Sequence, residues 1–206
     1  MKLWQWLKVL FAALRNGRAQ TSPKSSLPSS TSSTNAPSIK PKPSGPRFKE
    51  KQLNTPNVSA GRRITPKAVV LHHTAGSYAG SVAWCMDPAS KVSYHCIVAK
   101  DGRRTVLADP DERTWHAGKS EWHGRKDLNS WSIGASFEGD TNTEPLTLAA
   151  MESMAEYLVP IMRQYGLELP DVTDHRTVAP GRKDDLAWRE LERFKAYLAR
   201  RIQNAP

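Results

Sequence analysis

The apolar run Val69, Val70, Leu71 ends in two histidines, His72 and His73, and far downstream the segment HRTVAPGRKDD carries His175 and, ten residues on, Asp185. Two imidazoles and a carboxylate form a ligand set that a catalytic zinc ion uses while keeping a fourth position open for water. Pro180 and Gly181 lie between His175 and Asp185 and favour a turn that folds the two onto one point. Lys183, two residues before the aspartate, would then stand beside the metal. Spacing leaves two choices open. Adjacent strand residues face opposite sides, so only one of His72 and His73 can reach a given ion, and Asp184 competes with Asp185.

These residues need a frame. Ala68 to His73 reads as a buried strand, closed by Thr74 to Ser77 before a helix over about Tyr78 to Met86. Val92 to Ala99 reads as a second strand, with Asp101 and Gly102 turning into a third at Arg104 to Ala108, and Trp131 to Phe137 as a fourth. Leu148, Met151, Met154, Leu158, Ile161 and Met162 recur at helical spacing across Leu146 to Tyr165, where Pro160 should kink the helix. Leu191, Phe194, Leu198 and Ile202 mark a last helix over Leu186 to Ile202. The expected class is α/β: a small mixed central sheet with flanking helices, the site at one edge where strand ends and loops meet.

Charge divides the chain near residue 60. Residues 1 to 60 hold ten lysines and arginines against one acid, Glu50, leaving 20 basic and 19 acidic side chains for residues 61 to 206. The later part is thus an ordinary globular mixture, large enough for one core. From Thr21 to Pro46, 19 of 26 residues are Ser, Thr, Pro or Gly, too polar to offset the entropy of ordering, so residues 20 to 60 read as a disordered linker. Residues 1 to 19 allow two readings. Leu3, Leu7, Leu10 and Leu14 suit a basic amphipathic helix lying on a membrane, whereas Lys2 with Gly17, Arg18 and Ala19 suits a signal peptide. The basic end would favour an anionic membrane or envelope surface; it lacks the aromatic-interleaved pattern of a specific nucleic-acid binder. Cys85 and Cys96 read as reduced, packed thiols.

The segments VVLHHTAG, SYHCIVAKDGR, TWHAG, NSWSIGASFEG and HRTVAPGRKDD resemble, in this order, the signature segments of the zinc-dependent N-acetylmuramoyl-L-alanine amidases, a family that includes phage lysozyme-type amidases and peptidoglycan recognition proteins. The resemblance spans about residues 61 to 200. It implies that His72, His175 and Asp185 hold Zn2+, that Lys183 stabilises an oxyanion, and that Tyr94 hydrogen-bonds the substrate carbonyl or the zinc water. It also implies that His116 contacts the peptide or lactyl carbonyl, with Gly118 permitting close approach, and that His73 is a packed or supporting group. One departure stands out: muropeptide amidases carry a catalytic glutamate where this chain has Ser136, and Glu138 is the candidate substitute base.

The resemblance implies hydrolysis of the amide between N-acetylmuramic acid and L-alanine in peptidoglycan, by a monomer acting in the periplasm or cell wall. A lytic domain behind a flexible linker and a basic end suits a phage or prophage endolysin, or a secreted bacterial wall enzyme. The rival from another class is a non-catalytic muropeptide-binding module, in which the ligand set is typically broken.

Overall fold

The computed structural model describes residues 47–204. The expected terminal helix or signal-like segment at 1 to 19 and most of the expected linker lie outside them. In chain order the strands are β1 (Glu50–Gln52), β2 (Val58–Arg63), β3 (Ala68–His73), β4 (Cys96–Val98), β5 (Arg104–Val106), β6 (Glu112–Thr114), β7 (Glu121–Trp122), β8 (Arg125–Lys126), β9 (Ser132–Phe137) and β10 (Val172–Asp174). The helices are α1 (Tyr78–Met86), α2 (Leu148–Tyr165), α3 (His175–Val178) and α4 (Trp188–Asn204).

Six strands form one mixed sheet in the order β1-β5-β4-β9-β3-β10, antiparallel only between β4 and β5. Alternation along β3 and β9 decides what each face holds. Val69 and Leu71 on β3, with Ile133, Ala135 and Phe137 on β9, pack beneath α2 and α4 in the main core. Phe137 meets Phe194 of α4 edge to face at 5.3 Å; truncating either fully buried ring to alanine would cost about 3–5 kcal/mol. The other face of β3 turns Ala68, Val70 and His72 toward Ala117, Leu128 and Val178. On β9 it presents Ser132, Gly134 and Ser136, small residues that leave room for imidazoles.

Two expectations are corrected. The linker placed at 20 to 60 overlaps the fold: Glu50–Gln52 pairs in parallel with β5, and the Glu50 carboxylate accepts from the buried Arg104 guanidinium at 2.5 Å. A polar tripeptide of this kind has no apolar signal of its own; its partner lies 54 residues away. Only Cys96–Val98 of the expected second strand pairs as one, because Ser93 and His95 spend their side chains on neighbouring backbone, Ser93 Oγ donating to Asn57 O and His95 Nδ1 accepting from Gly134 N. As expected, one long helix, α2, spans Pro160, which faces solvent while Leu158, Ile161 and Met162 stay buried. Apolar burial on both sides of the proline outweighs one lost backbone hydrogen bond. Cys85 and Cys96 are unpaired and buried in separate clusters.

Candidate metal centre

The register of β3 and β10 assembles the first half of the site. Asp174 lies beside Leu71, so the next residues along, His175 just past the end of β10 and His72 still paired with Ser136 of β9, stand side by side. The Asp174 side chain accepts from Thr177 N at 2.7 Å and caps α3, which turns the chain away after His175. Gly181, at φ +74°, lies in the reversal, a conformation that favours glycine. Arg176 then clasps the returning strand: its backbone N–H donates to Asp185 O and its guanidinium to Asp184 O. Beyond Asp185, Leu186 is fully buried, and Ala187 N donates to Thr141 Oγ1. That same hydroxyl meets His73 Nδ1 at 2.8 Å. His73 thus anchors the loop from the far face, as a packed and supporting group.

His72 Nδ1, His175 Nδ1 and Asp185 Oδ2 converge, at 3.0 Å between the imidazoles and 3.0 and 3.1 Å from each to the carboxylate. Asp184 is exposed and its carboxylate points to Asn142, so Asp185 is the aspartate of the cluster. The tautomers follow from the surrounding bonds. His175 Nε2 lies 3.1 Å from Ala117 O, a pure acceptor, so Nε2 carries the proton and Nδ1 a lone pair. Ser132 Oγ donates to Leu128 O at 2.7 Å and therefore accepts from His116 Nε2 at 3.3 Å. His116 Nδ1 is then an acceptor for His72 Nε2–H at 3.1 Å, and His72 Nδ1 is left with a lone pair.

Three acceptors facing one another without a proton between them repel unless a cation joins them. At the bond lengths of about 2.0–2.1 Å typical of imidazole nitrogen on a divalent ion, tetrahedral ligand atoms sit about 3.3 Å apart, close to the distances found. His72, His175 and Asp185 therefore fit a divalent cation.

The electrostatics agree with this. Burial outweighs the pull of the facing Asp185 carboxylate and lowers His72 to about 4, and burial likewise lowers His95 to about 4 and, with the neighbouring imidazoles, takes His116 well below the ordinary histidine value. All three rings stay neutral near pH 7, as ligation or its support demands. Burial alone would raise Asp185, but the two imidazoles of His175 and His72 that face it prevail and hold it well below the usual carboxylate range.

The His116 ring is 5% exposed and its two nitrogens meet His72 Nε2 and Ser132 Oγ, which makes it a support behind His72, and it also lines the cleft over the ligands. Sequence reasoning missed Ser132, the far end of this relay, although Ser132, Gly134 and Ser136 alternating with apolar residues on a buried strand are its visible trace. It also missed Arg182, whose guanidinium donates to Ala117 O at 2.6 Å and Lys119 O at 2.8 Å and backs the carbonyl that fixes His175.

A cleft of about 350 Å³ opens above the ligands, lined by Tyr94, Trp115, Arg182, Lys183 and Asp185 among others. The Tyr94 ring lies 5.0 Å from that of His72. Burial and then the Asp185 charge push its hydroxyl up, so it remains a protonated donor. Lys183 is exposed, and its ammonium has no hydrogen bond or ion pair among the described residues. Ser136 Oγ is buried without a hydrogen-bond partner among them. Glu138 is engaged elsewhere: its carboxylate accepts from Tyr78 N and Lys100 N, both at 2.9 Å. The expected substitute base is a structural clamp between α1 and the end of β4.

Residues 61–187 match the family pattern of N-acetylmuramoyl-L-alanine amidases. The 1,6-anhydro-N-acetylmuramyl-L-alanine amidase AmpD of Salmonella typhimurium (strain SL1344) is 36% identical over 95 residues, 46% of this chain and 50% of that protein. The N-acetylmuramoyl-L-alanine amidase AmiD of Escherichia coli (strain K12) is 28% identical over 185 residues, covering 75% of this chain and 66% of its own. Thus the chain spans about half the length of the first relative and just under two thirds of the second. The structure of AmiD from E. coli in complex with anhydro-N-acetylmuramic acid-L-Ala-D-gamma-Glu-L-Lys superposes with a TM-score of 0.55 at 27% identity, over 66% of this chain and 60% of that one.

Proposed function

Because the chain belongs to the N-acetylmuramoyl-L-alanine amidase family, we propose that it hydrolyses the amide joining the lactyl group of N-acetylmuramic acid to L-alanine in peptidoglycan. The observation that carries this is the convergence of His72, His175 and Asp185, with the tautomers set for ligation, beneath a cleft containing an uncommitted ammonium. Two imidazoles and a carboxylate suit zinc. When bound, it supplies Lewis acidity toward a carbonyl and lowers the pKa of a water ligand.

The chain's own groups do the rest. Lys183 brings a positive charge to the oxygen that becomes anionic as the amide carbon turns tetrahedral. Tyr94, held protonated by burial, donates a hydrogen bond to the same carbonyl. Lys183 is also placed to hand a proton to the departing amine nitrogen, which an arginine such as Arg182 does not give up. With Ser136 on β9 and Glu138 clamped to backbone, this reading needs no carboxylate base from that strand. The protein acts on the wall as a monomer, as a phage-type endolysin, with the basic residues 1 to 60 drawn to an anionic membrane or envelope surface.

Release of new amino-terminal alanine from purified peptidoglycan by the zinc-loaded protein, and its loss in His175→Ala, is the expected result. Retention of the polymer without any new amino termini would instead make the domain a muropeptide-binding module.

A further inference from the structure

The cleft does not end at Tyr94 and Lys183. A second groove of about 450 Å³ shares Thr74, Val92, Tyr94 and Lys183 with it and runs along α1. One stripe of that helix forms its wall. Ser77 caps α1, and Gly80, Ser81 and Trp84 follow at the three- and four-residue spacing that keeps them on one face. Tyr78 and Val82 pack into the cluster on the other side, and the buried Cys85 belongs to that cluster while reaching the groove floor. Trp84 is 56% exposed. Of the large hydrophobic side chains that stand out in solvent among the described residues, Trp84, Leu148 and Trp188, Trp84 is the one lining a groove continuous with the metal ligands' cleft.

The two arms differ in chemistry. Over the ligands the cleft carries Lys91, Arg182 and Lys183 with Asp184, a cationic balance that complements the carboxylates of a peptide stem. Along α1 the only charge is Lys183 at the mouth; the remainder is hydroxyls, glycines, small apolar groups and an indole. An indole offers a broad apolar face with low conformational freedom, which suits the C–H face of a pyranose. Ser77 and Ser81 each spend one hydrogen bond on backbone and keep capacity for sugar hydroxyl and N-acetyl groups.

We infer that the α1 groove holds the glycan side of the substrate, with Trp84 stacking on the sugar next to the muramic acid whose lactyl amide lies over His72, His175 and Asp185. This rests on the amidase reading. The test compares the zinc-loaded protein on two substrates with the same peptide: an N-acetylmuramoyl peptide, and the same molecule extended by N-acetylglucosamine. Wild type should favour the disaccharide by about tenfold in kcat/KM, the size of one good contact, mostly through KM. Trp84→Ala should bring the ratio of the two substrates close to one, and Trp84→Phe should retain most of it. A ratio of one in wild type, an unaltered ratio in Trp84→Ala, or a Trp84→Ala loss that follows peptide length would overturn the inference while leaving the amidase reading standing. If wild type cut neither substrate, the amidase reading would fall and the inference with it.

Discussion

Replacing His116 with alanine tests the relay that sets the metal ligand's tautomer. The change removes the acceptor 3.1 Å from His72 Nε2 and the donor 3.3 Å from Ser132 Oγ. The site is buried, with His72 fully enclosed, so water does not easily take over. His72 Nε2–H is then an unpaired buried donor, and the ring is free to move its proton to Nδ1, the atom that must bind the ion. Leaving such a group unsatisfied costs about 1–3 kcal/mol. At about 1.4 kcal/mol per tenfold, zinc affinity should fall roughly 10- to 100-fold, the range found for lost outer partners of metal-ligating histidines. Competition for zinc against a chromophoric chelator measures this directly. His116→Asn keeps an oxygen near the position of Nδ1 and should recover much of the loss. A folded His116→Ala protein that binds zinc as tightly as wild type would refute the relay. Should that variant not fold, Ser132→Ala, which removes the far end, must weaken zinc binding by a smaller factor or the reasoning fails.

Lys183→Ala should lower kcat by about 10²- to 10³-fold, the usual cost of one oxyanion donor, while zinc affinity measured by the same competition stays near wild type; a loss confined to KM would remove Lys183 from the reaction step. Glu138→Gln should leave turnover little changed and lower stability by about 1 kcal/mol, because one of its two backbone acceptor sites is replaced by an amide donor. A tenfold fall in turnover at unchanged stability would restore Glu138 as a base. In Gly134→Ala the new Cβ would lie 2.2 Å from His116 Cγ, so denaturant titration should show a loss of about 1–3 kcal/mol or more, accompanied by weaker zinc binding; a protein as stable as wild type would mean that His116 can retreat freely. The metal-free protein should also lose stability as the pH falls from about 6.5 to 4. The folded pKa of His72 and His95 lies near 4 against an ordinary 6.5, so in that window the unfolded chain takes up protons that the folded chain refuses, at up to about 1.4 kcal/mol per histidine per pH unit. The depressed Asp185 adds a further loss once the pH drops below the ordinary aspartate value of 3.8. Denaturant unfolding in the presence of a chelator, flat between neutral pH and about 4, would contradict the histidine contribution, and no further loss below 3.8 would contradict that of Asp185.

Much of the frame was legible in the chain because its signals are local. The six residues of Ser132–Phe137, small alternating with apolar, the helical recurrence through Leu148–Tyr165, and the turn residues inside HRTVAPGRKDD all report on neighbours a few positions away. The types of the ligands were legible because VVLHHTAG and HRTVAPGRKDD resemble the amidase segments, since a histidine at the end of a buried strand taken alone equally suits a packed core. Residue identity and short-range periodicity thus determined the class of fold and the kind of chemistry.

What only the folded chain decided are questions answered by partners far away in sequence. His72 rather than His73 joins the cluster with Asp185 because the pairing of β3 with β9 and β10 turns it toward His175, 103 residues on. His116 became a support and Glu138 a clamp because their lone pairs and protons were already taken by Ser132, His72, Tyr78 and Lys100. Glu50–Gln52 joined the sheet because β5 offered it an open edge. Hydrogen bonding is a matter of which acceptor is within 3 Å of which donor once the backbone is folded, and a linear sequence carries no measure of that distance.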